Sequence, residues 1–372
     1  MGSCWGQNLK LSLFGESHGP GIGVVIDGLP PGMELDFEAV RRYALRRAPG
    51  RTPWSTPRKE ADEAEILSGV YAGRLTGTPL AALIRNTDTR SGDYRDLQVR
   101  PRPGHADLTG RERYRGFADP RGGGHFSGRL TAPLTFAGAI CSQILQTRGI
   151  RIAGHILEIA GIRDLPFNPA QPDPDQLAAL ADKPLAVLDD AAGQAMAAAV
   201  EAARLAADSV GGIVEAMILG LPAGLGDPIF EGLESRLGSL ILSIPAVRGV
   251  EFGAGFAAAG MRGSEHNDVP VIRNQAVSYR TNYSGGVLGG ISTGMPLVFR
   301  AAFKPTPSIG QEQQTVNLET MQEDRLTVHG RHDPCIVPRA VPVVEAAAAV
   351  FALDLMLGSG LFTAGGRESC HE

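Results

Sequence analysis

Three glycine-framed clusters concentrate the ionisable side chains of this chain where the backbone is least crowded: FGESHG at 14–19, PRGGGHFSGR at 120–129 and HGRHDPC at 329–335. Glycine lets backbone amides approach a ligand, histidine holds or releases a proton near neutral pH, and arginine offers a fork of donors to phosphate or carboxylate. Together they point to an anion site with proton-transfer groups beside it. His18 sits between Ser17 and Gly19 just after a strand-like run, so its ring can emerge with little cover, although taken alone a structural histidine is an equal reading. His105 lies in RPRPGHAD, stiffened by two prolines and flanked by Arg100 and Arg102. Arg129 follows three glycines and opens a helical pattern, the setting in which free N–H groups and the positive helix end attract an anion. Asp333 is the acidic group of the third cluster and is either a general base or an ion-pair partner of Arg331. KPTPSIG at 304–310 sets a lysine and two hydroxyls on a proline-rigid loop, which suits phosphate and also an ordinary surface turn. The run Gly122-Gly123-Gly124 lacks the spacing of a dinucleotide fingerprint.

Composition narrows the class. With 372 residues and 43% hydrophobic content the chain can bury one large core or two smaller ones. A net charge of −5 and 6% aromatic content argue against a nucleic-acid or membrane-surface binder, which needs a basic face or aromatic platforms. Locally the balance reverses: Arg41, Arg42, Arg46, Arg47, Arg51, Arg58 and Lys59 form a basic run that is either a solvated helix face or a focused anion site. The four cysteines, Cys4, Cys141, Cys335 and Cys370, show no metal-site spacing and read as free thiols in a reducing compartment, so no metal is expected. The N-terminus does not read as a signal peptide, and the apolar run 346–357, broken by Asp354, reads as a buried helix too short to cross a bilayer.

Far-apart clusters need elements to assemble them, and the sequence repeats its own. DGLPPGMELDFEAVRRYALR from Asp27 matches LGLPAGLGDPIFEGLESRLG from Leu219. GVYAGRLTGTPL from Gly69 matches GVLGGISTGMPL from Gly286 at seven of twelve positions without a gap. A duplicated strand, helix and hairpin unit predicts a pseudo-symmetric body with the site near the relating axis. Long alanine-rich helices are expected at 127–147 and 341–357, one closing each half, and strands at 23–26, 212–219 and 296–303. Glycine turns between the strands favour antiparallel pairing and an α+β fold over a doubly wound one. Residues 165–193, rich in Pro, Asp and Ala, read as a surface excursion.

The blocks FGESHGPGIGVVIDGLPPG, RPGHAD, RGGG with the following SGR, LSIPAVRGVE, SGGVLGGIS and GRHDPCIVPRAVPVVEA closely resemble the signatures of the chorismate synthase family, in order, from about residue 6 to 358. The resemblance implies an α+β sandwich with helices between antiparallel sheets and an internal pseudo-twofold. It implies one domain over 1–372 whose halves are roughly 8–150 and 205–358. The implied activity is that of a carbon–oxygen lyase acting on phosphates: anti 1,4-elimination of phosphate from 5-enolpyruvylshikimate 3-phosphate to give chorismate, in the shikimate pathway of aromatic amino acid biosynthesis. It needs reduced FMN despite no net redox change, with NADPH as one reductant, in a cytoplasmic homotetramer. The implied catalytic residues are His18 for the departing phosphate, His105 beside the flavin, and Asp333 in removal of the C6 proton. Substrate would be held by Ser17, Arg46, Arg47, Arg102, Arg129 and Arg331. Flavin contacts would fall on Arg47, His125, Phe126, Ser127, Pro245, Ala246, Gly289, Lys304, Pro305, Thr306, Pro307, Ser308 and Arg331. The chain departs from the family at Ala48 and near Pro53, where arginines are common, and at His125-Phe126, where the glycine triplet is often followed by Arg-Ser or Arg-Ala.

Overall fold

Alternate burial of Ile22, Val24 and Ile26 gives one strand an apolar face, and the same period of two recurs at Val214, Ala216 and Ile218. In the computed structural model, which describes residues 2–50, 62–87, 96–273, 275–328 and 333–360, each run lies inside a five-stranded antiparallel sheet.

The first sheet is built from β1 (Cys4–Trp5), β2 (Lys10–Gly15), β3 (Gly21–Asp27), β4 (Ala64–Ser68) and, after the small β5–β6 hairpin (Val70–Tyr71 and Arg74–Leu75), β7 (Leu80–Arg85). Its spatial order is β1-β2-β3-β7-β4. Helix α1 (Phe37–Arg47) starts where the Asp36 carboxylate accepts from the Ala39 amide at 2.9 Å, and it buries Val40, Ala44 and Arg47 at helical spacing. The short α2 (Asp107–Arg113) and the long α3 (Thr131–Gln146) complete this half.

The second sheet takes β8 (Arg151–Ile159) and β9 (Ile162–Arg163), then, after α4 (Pro174–Ala179) and α5 (Asp190–Leu205), β10 (Gly212–Leu219). Helix α6 (Leu233–Leu242), β11 (Val247–Phe252) and α7 (Gly263–His266) follow. Next come the β12–β13 hairpin (Pro270–Arg273 and Ala276–Tyr279), the β14–β15 hairpin (Val287–Leu288 and Ile291–Ser292), and β16 (Leu297–Phe303). The β17–β18 hairpin (Glu312–Asn317 and Gln322–Thr327) and α8 (Val337–Gly358) end the described chain. The sheet order is β11-β16-β10-β8-β9.

Without the two short strands the sheets read β2-β3-β7-β4 and β8-β10-β16-β11, the same succession of chain-order strands. Each has a helix after its second strand, a small hairpin before its last and a long helix at its close. This is the α+β fold with a pseudo-twofold that the repeat implies. The expected halves omit β8, however, and the second sheet starts at Arg151, well before 205. The excursion after it is packed: Phe167, Leu177 and Leu180 are buried on Ala153, Met217 and Val298 of the second sheet.

Between the sheets lie the helices. Helix α3 packs on β3 and β7, α8 on β8 and β10, and the two pack on each other, with α1 and α6 alongside. The 22-residue α8 is apolar enough to cross a membrane, yet 94% of its apolar window is buried inside the protein. Two carboxylates interrupt it. Glu345 accepts from the Gly154 amide at 3.0 Å, and Asp354 from the amides of Gln7, Asn8 and Leu9, so this helix is fastened to β8 in one sheet and to the turn before β2 in the other. Cys4, Cys141 and Cys335 are free thiols, and Cys370 lies outside the described residues.

Candidate active site

The loop that leaves β2 is fastened to the glycine triplet. The Ser17 amide donates to the Gly124 carbonyl at 3.1 Å, and the Ser17 hydroxyl lies 3.0 Å from the Gly122 carbonyl and 3.2 Å from that of Arg121. Gly122, Gly123 and Gly124 all have positive φ, a shape that side-chain-bearing residues adopt only with strain. The lack of side chains is required as well. A Cβ on Gly122 would sit 2.0 Å from Nδ1 of His18, and one on Gly123 3.1 Å from Nε2 of His105. The triplet therefore brings the two histidines, read from separate motifs, to one place.

Asn86, just after β7, ties this loop to Arg129. Its amide donates to the carbonyls of Glu16 and Gly19 at 2.9 Å each, and its oxygen accepts from Arg129 Nε at 3.2 Å. Arg129 and Arg47 share the buried Asp62 carboxylate, with Arg47 Nη1 at 2.5 Å from Oδ2 and Arg129 on Oδ1. Arg47 also donates to the Thr131 hydroxyl and the Gly128 carbonyl, both at 3.0 Å. Burial pushes the Arg47 guanidinium down to about 10; Asp62 opposes this, while the nearby Arg339 and Arg129 cations add to it. Burial would raise the Asp62 carboxyl, but the two arginines outweigh it and hold it low. Asp333 pairs with Arg339, whose Nε also donates to the Arg47 carbonyl at 2.9 Å, so Asp333 joins the same basic array. Its sequence neighbours His329–His332, Arg331 included, lie outside the described residues, as do Arg51, Pro53, Arg58 and Lys59.

The second half closes on the first through the loop after β16. Ser308 Oγ accepts from Arg102 Nη1 at 3.0 Å, Lys304 reaches the Gly104 carbonyl, and Pro307 packs beside Gly104. The Lys304 amide donates to the carbonyl of Ala246, which has a φ of 74°, so the Pro245-Ala246 turn joins this loop. Arg102 itself is gripped by Asp107, which also lies 2.6 Å from His105 Nδ1.

Other expected residues point elsewhere. Arg46 is held at 2.6 and 3.1 Å by Glu345 and stacks on Tyr43 instead of joining Arg47 on Asp62. The Ser127 hydroxyl caps the turn to α3 by accepting from the Arg129 amide at 3.2 Å. His125 is 2.9 Å from both the Gly15 carbonyl and the Ser3 hydroxyl, and Phe126 packs on Gly110 and Tyr114. These two departures from the family pattern thus lock the glycine loop to Ser3, β2 and α2. Gly289 turns β14 into β15, and its neighbour Gly290 packs on Asp227 and Gly232. Ala48 is the buried C-terminal cap of α1. The residues that sequence reasoning missed are Asp62, Asn86, Asp107, Thr131 and Arg339. Asp107 and Arg339 stood inside quoted motifs, whereas Asp62 and Asn86 carry no local signal.

The fold and this arrangement define a class: a duplicated two-sheet α+β protein whose loops gather histidines and arginines around a glycine triplet. Comparison with known proteins makes the class particular. The family model described as chorismate synthase matches residues 9–357. Chorismate synthase of Methanosarcina acetivorans is 46% identical over 96% of this chain and 97% of its own length; that of Methanocella arvoryzae is 48% identical over 97% and 95%. A crystal structure of chorismate synthase superposes with a TM-score of 0.75 at 28% identity, covering 95% of this chain and 93% of the other. The chain belongs to the chorismate synthase family. It is an enzyme, a lyase.

Proposed function

We propose that the chain eliminates phosphate from 5-enolpyruvylshikimate 3-phosphate in the anti 1,4 sense to give chorismate, within the shikimate pathway, as a single-domain cytoplasmic homotetramer. The C3–O bond breaks with its electron pair leaving on phosphate, the C6 proton departs, and the ring gains a second double bond. The observation that carries the reading is the convergence of His18, His105 and Arg102 on the glycine triplet. A substrate with two carboxylates and a phosphate needs several cations, and Arg47, Arg102, Arg129 and Arg331 supply them. Arg46 is left out of this set because its guanidinium pairs with Glu345 of α8, apart from the Asp62 carboxylate that Arg47 and Arg129 share. Ser17 orients the phosphate end, His18 protonates the departing phosphate, and Asp333 helps carry away the C6 proton.

The residues present fit a flavin. The Thr306 hydroxyl is buried with no hydrogen-bond partner among the described residues, in the loop where Lys304 and Pro307 border Gly104 and Ser308 meets Arg102. Those residues, the Pro245-Ala246 turn and Arg331 would hold reduced FMN, with His105 beside it. When bound, reduced FMN supplies electron density transiently, so the reaction has no net redox change. His125, Phe126 and Ser127 contribute by fixing the loop shape, and NADPH serves as one source of reducing electrons.

The test is anaerobic turnover of 5-enolpyruvylshikimate 3-phosphate with photoreduced FMN, with and without NADPH, following chorismate by its absorbance. Chorismate is expected with reduced flavin alone. No chorismate under either condition overturns the assignment.

A further inference from the structure

His105 Nδ1 faces two groups that make opposite demands. Asp107 Oδ1 lies 2.6 Å away and can only accept a hydrogen bond, whereas Arg102 Nη2 lies 3.0 Å away and can only donate one. A bare Nδ1 would set its lone pair against a carboxylate oxygen at 2.6 Å. A protonated Nδ1 makes a short charge-assisted bond to that oxygen. Arg102 loses nothing by this, because the same Nη2 already donates to Asp107 Oδ1 at 2.7 Å, its Nε to Oδ2 at 2.8 Å and its Nη1 to Ser308 at 3.0 Å. The contacts are those that a protonated Nδ1 satisfies. The ring's variable position is Nε2, on the edge that faces the bare Gly123, where a Cβ would come within 3.1 Å.

We propose that Asp107 is a positioning residue for the reaction: it fixes the Nδ1–H tautomer of His105 and the fork of Arg102 together, so that Nε2 alone exchanges protons with the bound reactants. The inference rests on the acid–base role given to His105 above. Asp107 suits the task because one carboxylate takes the Arg102 backbone amide at 3.0 Å, two guanidinium nitrogens and the imidazole, which leaves neither partner free to rotate. Burial would raise its own carboxyl, but the bonds from Arg102 and His105 dominate and hold it well below the usual carboxylate range, so it stays an acceptor.

The test uses the full chain labelled with 15N-histidine, with His105 assigned by loss of its signals in His105→Gln. Solid-state 15N spectra of the neutral ring are expected to show Nδ1–H in the unsubstituted protein and Nε2–H in Asp107→Asn, whose amide can donate to Nδ1. In the same variant kcat is expected to fall on the order of 10²-fold, the usual scale for acid–base groups, with the flavin dissociation constant within about threefold. Asp107→Glu, which keeps the charge, is expected to retain Nδ1–H and recover part of the rate. An Nε2–H ring in the unsubstituted protein overturns the proposal, and so does an Asp107→Asn enzyme that has switched tautomer yet turns over normally. If Asp107→Asn does not fold, the spectrum of the unsubstituted protein and the rate of Asp107→Glu still decide. Failure of the unsubstituted protein to form chorismate counts against the reading of function instead, since the nitrogen spectra do not depend on turnover.

Discussion

Asp62 answers two arginines with one carboxylate, and both reach it from helix ends: Arg47 closes α1 and Arg129 precedes α3. All three side chains are almost wholly buried, so removing the anion leaves two guanidinium groups facing each other out of water. Asp62→Ala is expected to lose about 3–5 kcal/mol of stability, the cost of breaking a buried pair from one side. Urea denaturation measures it, and a midpoint equal to that of the unsubstituted protein would show that solvent reaches the pair. Neither Asp62 nor Asn86 could be read from the sequence, because each works on partners that are neighbours only after the sheet has formed. Glycine-framed His18 and Arg129 were legible because the local backbone itself is unusual there. Arg46 and Arg47 mark the boundary between the two cases. As consecutive residues in a helix they leave it about 100° apart, so one joins Glu345 and the other Asp62, and a basic run in the sequence splits between two buried carboxylates.

The two long helices hold these residues in place, and their contact is close at one point. A Cβ on Gly138 of α3 would lie 2.3 Å from both Cα and Cβ of Ala346 in α8 and 2.6 Å from its carbonyl oxygen. Gly138→Ala should gain about 1 kcal/mol from helix propensity. The obstacle is backbone, however, which cannot step aside as a flexible side-chain end can, and overpacking costs about 1–3 kcal/mol or more. Net destabilisation is expected, seen as a lower urea midpoint with an unchanged slope; a more stable variant would mean that the helices separate easily. At this scale the sequence was read well where pattern and length agree. The strand expected at 212–219 forms over that range, and those expected at 23–26 and 296–303 form within two residues of it. The helix starts were less legible. Residues 128–130 make a separate tight turn capped by Ser127 before α3 begins, and α8 starts at Val337, with Pro338 in its first turn, where no N–H is needed, and Pro342 inside the helix. The excursion after Leu165 looked polar because its few buried residues, Phe167, Leu177, Leu180 and Val187, are spaced without period among Pro, Asp and Ala.

Across the whole molecule the duplicated sheets differ most in one row. In the first sheet, register aligns Phe14, Gly23, Leu83 and Glu65 across β2, β3, β7 and β4, and Phe14 lies half in solvent over Gly23. The corresponding row of the second sheet is His155, Glu215, Arg300 and Glu251, alternating in charge, with His155 and Glu215 fully buried beneath the segment that follows β9. That segment is fastened to the row. The Phe167 amide donates to Glu215 at 2.6 Å, Asp164 takes the amides of Leu188 and Asp189, and His155 bridges Asp164 at 3.1 Å and Glu215 at 3.0 Å. Burial alone would lower the His155 pKa, but hydrogen bonds to the two carboxylates outweigh it and raise the folded-state value. A raised value means that the stabilisation from the imidazolium is complete below its unfolded pKa of about 6.5 and is lost as pH climbs through the folded one. Asp164 and Glu215 are held low, so both remain ionised through that interval and do not offset the loss. The difference in unfolding free energy between the unsubstituted protein and His155→Gln should therefore be larger at pH 6 than at pH 9, measured by urea titration at each pH. At pH 6 it should approach the roughly 3–5 kcal/mol of a one-sided break in a buried ionic network. An equal difference at the two pH values would mean that His155 is neutral in the folded protein, and the row would then be a hydrogen-bonded fastening for the excursion without a buried cation at its centre.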